Sequence, residues 1–246
     1  MSLKQKLKYL DPFYYVDVLL AIVHPVKGKK TLTHEIVDGI VYLFFAALFA
    51  WIIYSALGLA FGTTAPIVIV TSGSMEPVMF RGDLYFVSGV TAAQVIAPEI
   101  NLPDLDLVNN RFEDLAVFQG NSIIIEGQEF NFSERGSGDI IIYDTEMVYF
   151  NELVYKQIIH RVILKIKTND GYFLITKGDN NGLNVDQDCF DSDNNGKMDY
   201  CISQFAVSDE RIVGKAGFGV PLIGYVKLFV FDDLLRIISG QPIEEI

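Results

Sequence analysis

The stretch "GIVYLFFAALFAWIIYSALGLAF", Gly39 to Phe61, decides how the rest of this chain is read. Its 23 positions carry no charged residue. As a helix rising about 1.5 Å per residue it is roughly 34 Å long, enough to cross a hydrocarbon core of about 30 Å. A core helix of that length normally keeps a polar face, and this run has none. It is therefore read as a transmembrane span. Nearly 40 residues precede it and no obvious small-residue cleavage site follows, which argues against a removable secretory leader.

Charge changes character across this run. Residues 1–61 carry six lysines against four acids, whereas residues 62–246 hold 13 basic and 27 acidic residues, within an overall net charge of −12. Lysines on the N-terminal side predict that the N-terminus is cytoplasmic and that residues 62–246 lie on the other side of a cell membrane. No basic patch suits a phosphate backbone, so nucleic acid is excluded as a partner. Before the span, "FYYVDVLLAIVHP" (13–25) is too short to cross and contains Asp17, so it reads as an interfacial helix. Near the other end, "LIGYVKLFVFDDLLRII" (222–238) is interrupted by Lys227, Asp232, Asp233 and Arg236, which predicts a surface-lying or docked helix.

From Ala65 onward the pattern is one of short β-branched and aromatic runs punctuated by Gly, Asp and Asn. The clearest are "IVIVT" (67–71), "DLYFV" (83–87), "NSIIIEG" (121–127), "DIIIYD" (139–144), "IIHRVILKIKT" (158–168), "YFLITKGD" (172–179) and "RIVGKAG" (211–217). Asp170-Gly171 predicts a tight type I′ hairpin turn between two of them. The expected fold is mainly β, a coiled β domain or barrel on one N-terminal transmembrane helix. The chain then divides into a cytoplasmic segment 1–38, the span 39–61, a β-rich outer domain 62–226 and an amphipathic segment 227–246. Residues 88–136 look like a weakly patterned insertion, with a glycosylation sequon at Asn131-Phe132-Ser133.

"TSGSMEP" (71–77) follows the span closely and presents two serines where core packing needs none. His160 is the only histidine beyond the span. A serine becomes a nucleophile at neutral pH when an imidazole accepts its proton and a carboxylate orients that imidazole. The acidic stretch "KGDNNGLNVDQD" (177–188) offers Asp179, Asp186 and Asp188 for the last role. The bland alternative for His160 is a half-buried strand histidine bonded to a backbone group.

Taken together, "SGSMEP" (72–77), "RGDLYFV" (81–87), "SGDIIIYD" (137–144), "IIHRVI" (158–163), "LITKGDNN" (174–181) and "GKAGFGVPLIGYV" (214–226) resemble the type I signal peptidases of the archaeal and endoplasmic-reticulum branch. The resemblance implies a β-rich catalytic fold and endoproteolytic removal of signal peptides from exported preproteins. It implies that Ser74 is the nucleophile and that His160 stands where the bacterial branch has a lysine base. It also implies that Ser72 contributes its hydroxyl to an oxyanion hole beside the Ser74 backbone N–H, and that Met75 packs near a small-residue specificity pocket. The third member departs from the family pattern, in which the orienting Asp lies six residues after the Asp of "KGD". Here position six is Val185 and the acid comes at seven, Asp186. Asp186 is the favoured orienter, with Asp179 holding the loop or sharing the task. Ser74 is 13 residues past the span, at most about 47 Å of extended chain, and Val78, Met79 and Phe80 suit contact with membrane lipid.

"CFDSDNNGKMDYC" (189–201) raises a separate question. Asp191, Asp193, Asn195, Lys197 and Asp199 match positions of a calcium loop, although Ile202 stands where a bidentate Glu is usual. Outside the cytoplasm Cys189 and Cys201 would pair as a disulfide around it. A solvated acidic loop is the alternative. No cofactor is required, and a structural Ca2+ within 186–202 is the one metal expected. Three functions fit: a signal peptidase, a non-catalytic anchored calcium-binding β domain, and a related protease for other precursors. Accessory subunits are not legible.

Overall fold

The computed structural model describes residues 8–9, 11–23, 32–133, 135–149, 152–189 and 200–229. It divides into two units, Met1–Ala60 and Phe61–Ile246.

In the first unit, α1 (Pro12–Val23) precedes α2 (Leu32–Phe61). None of the α2 side chains is buried, and it is the one described helix long and apolar enough to cross a membrane. It begins seven residues before the uncharged run. The polar turn 32–38 extends it, with Glu35 in the first turn, where a negative charge favours a helix N-terminus. The Tyr42 hydroxyl donates to Asp17, which explains how α1 tolerates a carboxylate.

The second unit is mainly antiparallel β. Its strands are β1 (Ile67–Ile69), β2 (Leu84–Ser88), β3 (Glu99–Asn101), β4 (Ala116–Gln119), β5 (Ser122–Ile125), β6 (Gln128–Asn131), β7 (Ile140–Tyr149), β8 (Glu152–Thr168), β9 (Gly171–Lys177), β10 (Tyr200–Cys201) and β11 (Ile212–Val220). The large sheet runs β1-β2-β11-β7-β8-β3, with β9 paired to β8 and β10 to β7. Strand β8 organises it. Its first half pairs with β7, in the register Ile141↔His160 and Tyr143↔Ile158. Its second half carries β9 antiparallel and β3 parallel.

Side chains alternate between the two faces of a strand. One face of β7, β8 and β9 buries Ile141, Tyr143, Val162 and Leu174 with Ala92, Val95 and Val207. The opposite face of β8 and β9 buries Ile163, Leu164, Ile166, Phe173 and Ile175. That second face is covered by residues drawn from 100–132. Leu102, Leu105, Leu107, Phe112, Ala116, Ile123 and Ile125 join the same core, and β4-β5-β6 form a separate three-stranded sheet. Each of these strands has only four residues, too short to display its alternation.

The β8–β9 hairpin turns one residue earlier than the Asp170-Gly171 reading. Thr168 pairs with Gly171, leaving Asn169 and Asp170 as the loop. The Thr168 hydroxyl accepts from the Asp170 N–H at 3.1 Å, so a side-chain-capped turn replaces the mirror-image one. The predicted C-terminal helix falls mostly outside the described residues, which end at Phe229.

Candidate active site

Ser74 lies in the connection from β1 to β2, a loop closed by short turns. Glu76 N–H donates to Gly73 C=O, and the Val78 and Met79 N–H groups both donate to Met75 C=O. Beneath it Met75, Met79 and Val70 form an apolar cluster, with Met75 completely buried. The far end of the loop is held by Asp83, whose carboxylate accepts from Phe80 N–H at 2.9 Å and Leu222 N–H at 3.2 Å. Gly82 adopts φ +89°, and a Cβ there would lie 2.2 Å from the Tyr225 ring, so this corner accepts only glycine.

His160 projects from the middle of β8 and is 3% exposed. Its Nε2 lies 3.0 Å from Ser74 Oγ, and its Nδ1 lies 2.7 Å from Asp186 Oδ2. With the Nδ1 proton donated to the carboxylate, Nε2 is an acceptor for the serine hydroxyl. This is the relay of serine, imidazole and carboxylate expected of an activated nucleophile. Ser72 Oγ lies 3.3 Å from Ser74 Oγ. Among the described residues the Ser74 N–H has no protein acceptor, so it and the Ser72 hydroxyl are the nearest donors for a developing oxyanion.

Asp186 arrives from the loop that follows β9. Lys177, wholly buried, gathers this loop by donating to the carbonyls of Gly178 and Gly182, each at 2.7 Å. Gly182, at φ +59°, provides the left-handed turn. Asp186 N–H then donates to Thr176 C=O at 2.9 Å, and Asp186 C=O accepts from Ser203 N–H at 2.9 Å. The Tyr143 hydroxyl donates to Asp186 Oδ2 at 2.9 Å and accepts from Thr176 Oγ1 at 3.0 Å. Asp186 Oδ1 is buried with no partner among the described residues, so both side-chain contacts converge on Oδ2. Burial, and after it the Asp186 charge, hold the Tyr143 hydroxyl well above its ordinary pKa, so it is a neutral donor throughout the working range.

The other sequence-predicted residues go elsewhere. Asp179 does not meet His160. It forms a two-pronged ion pair with Arg161, at 2.8 Å to Nε and 2.7 Å to Nη2, on the opposite side of β8. Asp188 is not a partner of His160 either, and burial raises its pKa from its ordinary value. Cys189 and Cys201 are joined by a disulfide. Asp191, Asp193, Asn195, Lys197 and Asp199 lie outside the described residues. Among the described residues no group of three or more His, Cys, Asp or Glu is arranged to hold a metal.

Sequence reasoning missed Tyr143, Thr176 and Asn180. Tyr143 was detectable in principle, because it shares strand parity with Ile141, the residue that pairs with His160. Thr176 and Asn180 had no comparable signal.

No family model matches the chain. It is similar to the signal peptidase complex catalytic subunit of Clavispora lusitaniae, 26% identical over 196 residues that cover 80% of this chain and 82% of that one. That of Dictyostelium discoideum is 28% identical over 200 residues, covering 81% and 79%. That of Metarhizium acridum is 27% identical over 183 residues, 74% of each chain. The chain is thus similar, over most of its length, to proteins named as catalytic subunits of a signal peptidase complex.

Proposed function

We propose that the protein is a membrane-anchored serine endopeptidase that removes signal peptides from secretory preproteins. The observation that carries this reading is the 3.0 Å approach of His160 Nε2 to Ser74 Oγ, with Asp186 behind the ring at 2.7 Å. Its relatives, named as catalytic subunits of a signal peptidase complex, support the substrate class.

In this scheme Ser74 Oγ attacks the scissile carbonyl carbon while His160 Nε2 takes the hydroxyl proton. Asp186 stabilises the imidazolium through Nδ1–H, and Ser72 with the Ser74 N–H donates to the carbonyl oxygen as it becomes negative. The imidazolium returns its proton to the departing amine, leaving an ester on Ser74. A water activated by the same imidazole then hydrolyses that ester and restores the serine. The lysine-rich N-terminal side supports a cytoplasmic N-terminus, and Ser74 follows Phe61 by 13 residues, few enough to suit a substrate cut close to a membrane. Signal peptides present their cleavage bond just after an apolar segment, behind small residues. No organic cofactor enters, and calcium in the 191–199 loop is proposed in a structural role alone.

The full-length protein in detergent, given a preprotein with an Ala-x-Ala site, should release the mature chain from its first residue. Ser74→Ala should abolish this. Intact precursor after incubation with well-folded wild type would overturn the reading.

A further inference from the structure

The catalytic scheme uses Ser74, His160 and Asp186, and leaves a fully buried hydroxyl without a task. Tyr143 sits on β7, one strand from His160 and on the same face. Its hydroxyl reaches the same carboxylate oxygen that faces the imidazole, at 2.9 Å, against 2.7 Å for His160 Nδ1. Behind it Thr176 Oγ1 donates to the tyrosine oxygen at 3.0 Å, and Gln187 Nε2 donates to Thr176 Oγ1 at 3.3 Å. The donors therefore run in one direction, from Gln187 through Thr176 and Tyr143 into Asp186.

We propose that Tyr143 is a positioning residue for the signal-peptidase reaction: its hydroxyl fixes Asp186 Oδ2 against His160 and draws off part of that oxygen's negative charge.

Both consequences follow from the convergence on one oxygen. Asp186 enters from a loop, and its backbone bonds to Thr176 and Ser203 fix the chain without fixing carboxylate rotation. The tyrosine, on the sheet that carries the imidazole, supplies the missing restraint. A hydrogen bond into Oδ2 also weakens the attraction this oxygen exerts on an imidazolium. Loss of the Tyr143 hydroxyl would therefore leave more negative charge on the oxygen that faces the imidazole. The ionisable groups around this hydroxyl are Asp186 from the loop after β9, His160 from β8 and Arg211 from the turn before β11. Arg211 is occupied by Asp144 C=O and the Thr145 and Ser203 hydroxyls. Tyr143→Phe changes none of those partners.

The proposal rests on the catalytic reading of Ser74, His160 and Asp186, so it is tested in two ways. The first is the pH profile of kcat and kcat/KM for wild type and Tyr143→Phe in detergent. The variant should lose about tenfold in kcat, the size expected for one hydrogen bond to a charged group, with KM little changed. The acid limb of kcat/KM should move up by about half a pH unit. The second needs no turnover: the His160 ring resonances are titrated in Ser74→Ala with and without Tyr143→Phe, and the midpoint should rise in the same direction. Thr176→Val, which keeps the tyrosine but removes the hydroxyl behind it, should shift the midpoint the same way by less, and stands in should Tyr143→Phe fail to fold. A midpoint that stays put or falls overturns the proposal, even where cleavage is impaired. Absence of cleavage by wild type bears on the catalytic reading and leaves the titration to decide on Tyr143.

Discussion

The backbone N–H of Asn180 donates to the carbonyl oxygen of Ser74 at 2.8 Å, tying the loop after β9 to the nucleophile itself. Asn180 Nδ2 adds a bond to Gly73 C=O at 3.1 Å. A Cβ on Gly178 would lie 2.8 Å from Ser74 O, so this approach depends on a glycine. The same loop carries the Asp179–Arg161 pair at one end and Asp186 at the other, and so holds both the serine and its distant carboxylate.

Breaking that pair should therefore damage catalysis from a distance. Arg161→Met leaves the Asp179 side chain, which has no exposure, without its partner. Loss of one member of a buried pair costs about 3–5 kcal/mol. We expect a large fall in the denaturation midpoint together with a fall in kcat at temperatures where the variant remains folded. The acid limb of the pH profile should stay in place, because Asp179 does not contact His160. Circular dichroism melts alongside cleavage rates test this.

Ser72→Ala removes the side-chain hydroxyl that lies 3.3 Å from the nucleophile. Loss of one oxyanion donor costs about 100- to 1000-fold in kcat, or about 3–4 kcal/mol. KM should change little, since the donor acts where charge develops. Steady-state kinetics on a single precursor peptide separate the two. An unchanged kcat would remove Ser72 from the oxyanion site.

The disulfide holds Cys201, on β10 beside β7, to Cys189, three residues after Asp186. Closing a short loop of this kind restricts the unfolded chain by about 3 kcal/mol in the chain-entropy model. Cys189→Ser/Cys201→Ser should lower the thermal midpoint by a corresponding amount. It should also reduce kcat, because Ser203 N–H supports Asp186 C=O from just beyond Cys201. Equal kcat in the double variant would separate the clamp from the carboxylate.

Two carboxyls weaken the fold at neutral pH. Burial raises the pKa of Asp188, and burial, then Asp114, raise that of Glu113, with a smaller push from Asp188. A carboxyl with a raised folded-state pKa binds its proton more tightly when folded. Stability is therefore lost as pH rises through the carboxylate range and stays reduced above it. Glu113→Gln and Asp188→Asn should each raise the thermal midpoint at pH 7 slightly, and the gain should vanish in acid. Melts across pH check the sign.

Much of this architecture was legible because it depends on local pattern. The uncharged run 39–61 announced a helix, and β-branched runs such as "DIIIYD" and "IIHRVILKIKT" announced β7 and β8. Ser74 and His160 stood out because each is chemically odd in its surroundings. What was hidden depends on tertiary contact. Residues 88–136 bury Phe112 and Ile125 against β8 and β9, yet their strands are too short to show a period. Asp179 and Asp186 were both plausible partners for His160 until the loop path gave one to Arg161. The helix reached back to Leu32 because a polar first turn carries no hydrophobic signal. Strand parity gives the face on which Tyr143 lies, but nothing in a strand pattern reveals where its hydroxyl ends.

The central claim is that Ser74 and His160 act as one unit. Its most direct test is the cleavage rate of Ser74→Ala, His160→Ala and the double variant on one preprotein. Groups that act together lose nearly everything when either is removed, and their losses do not add. The account predicts that both single variants fall by about a million-fold, or to background, and that the double variant falls no further. Substantial cleavage by His160→Ala, or losses that multiply in the double variant, would contradict it.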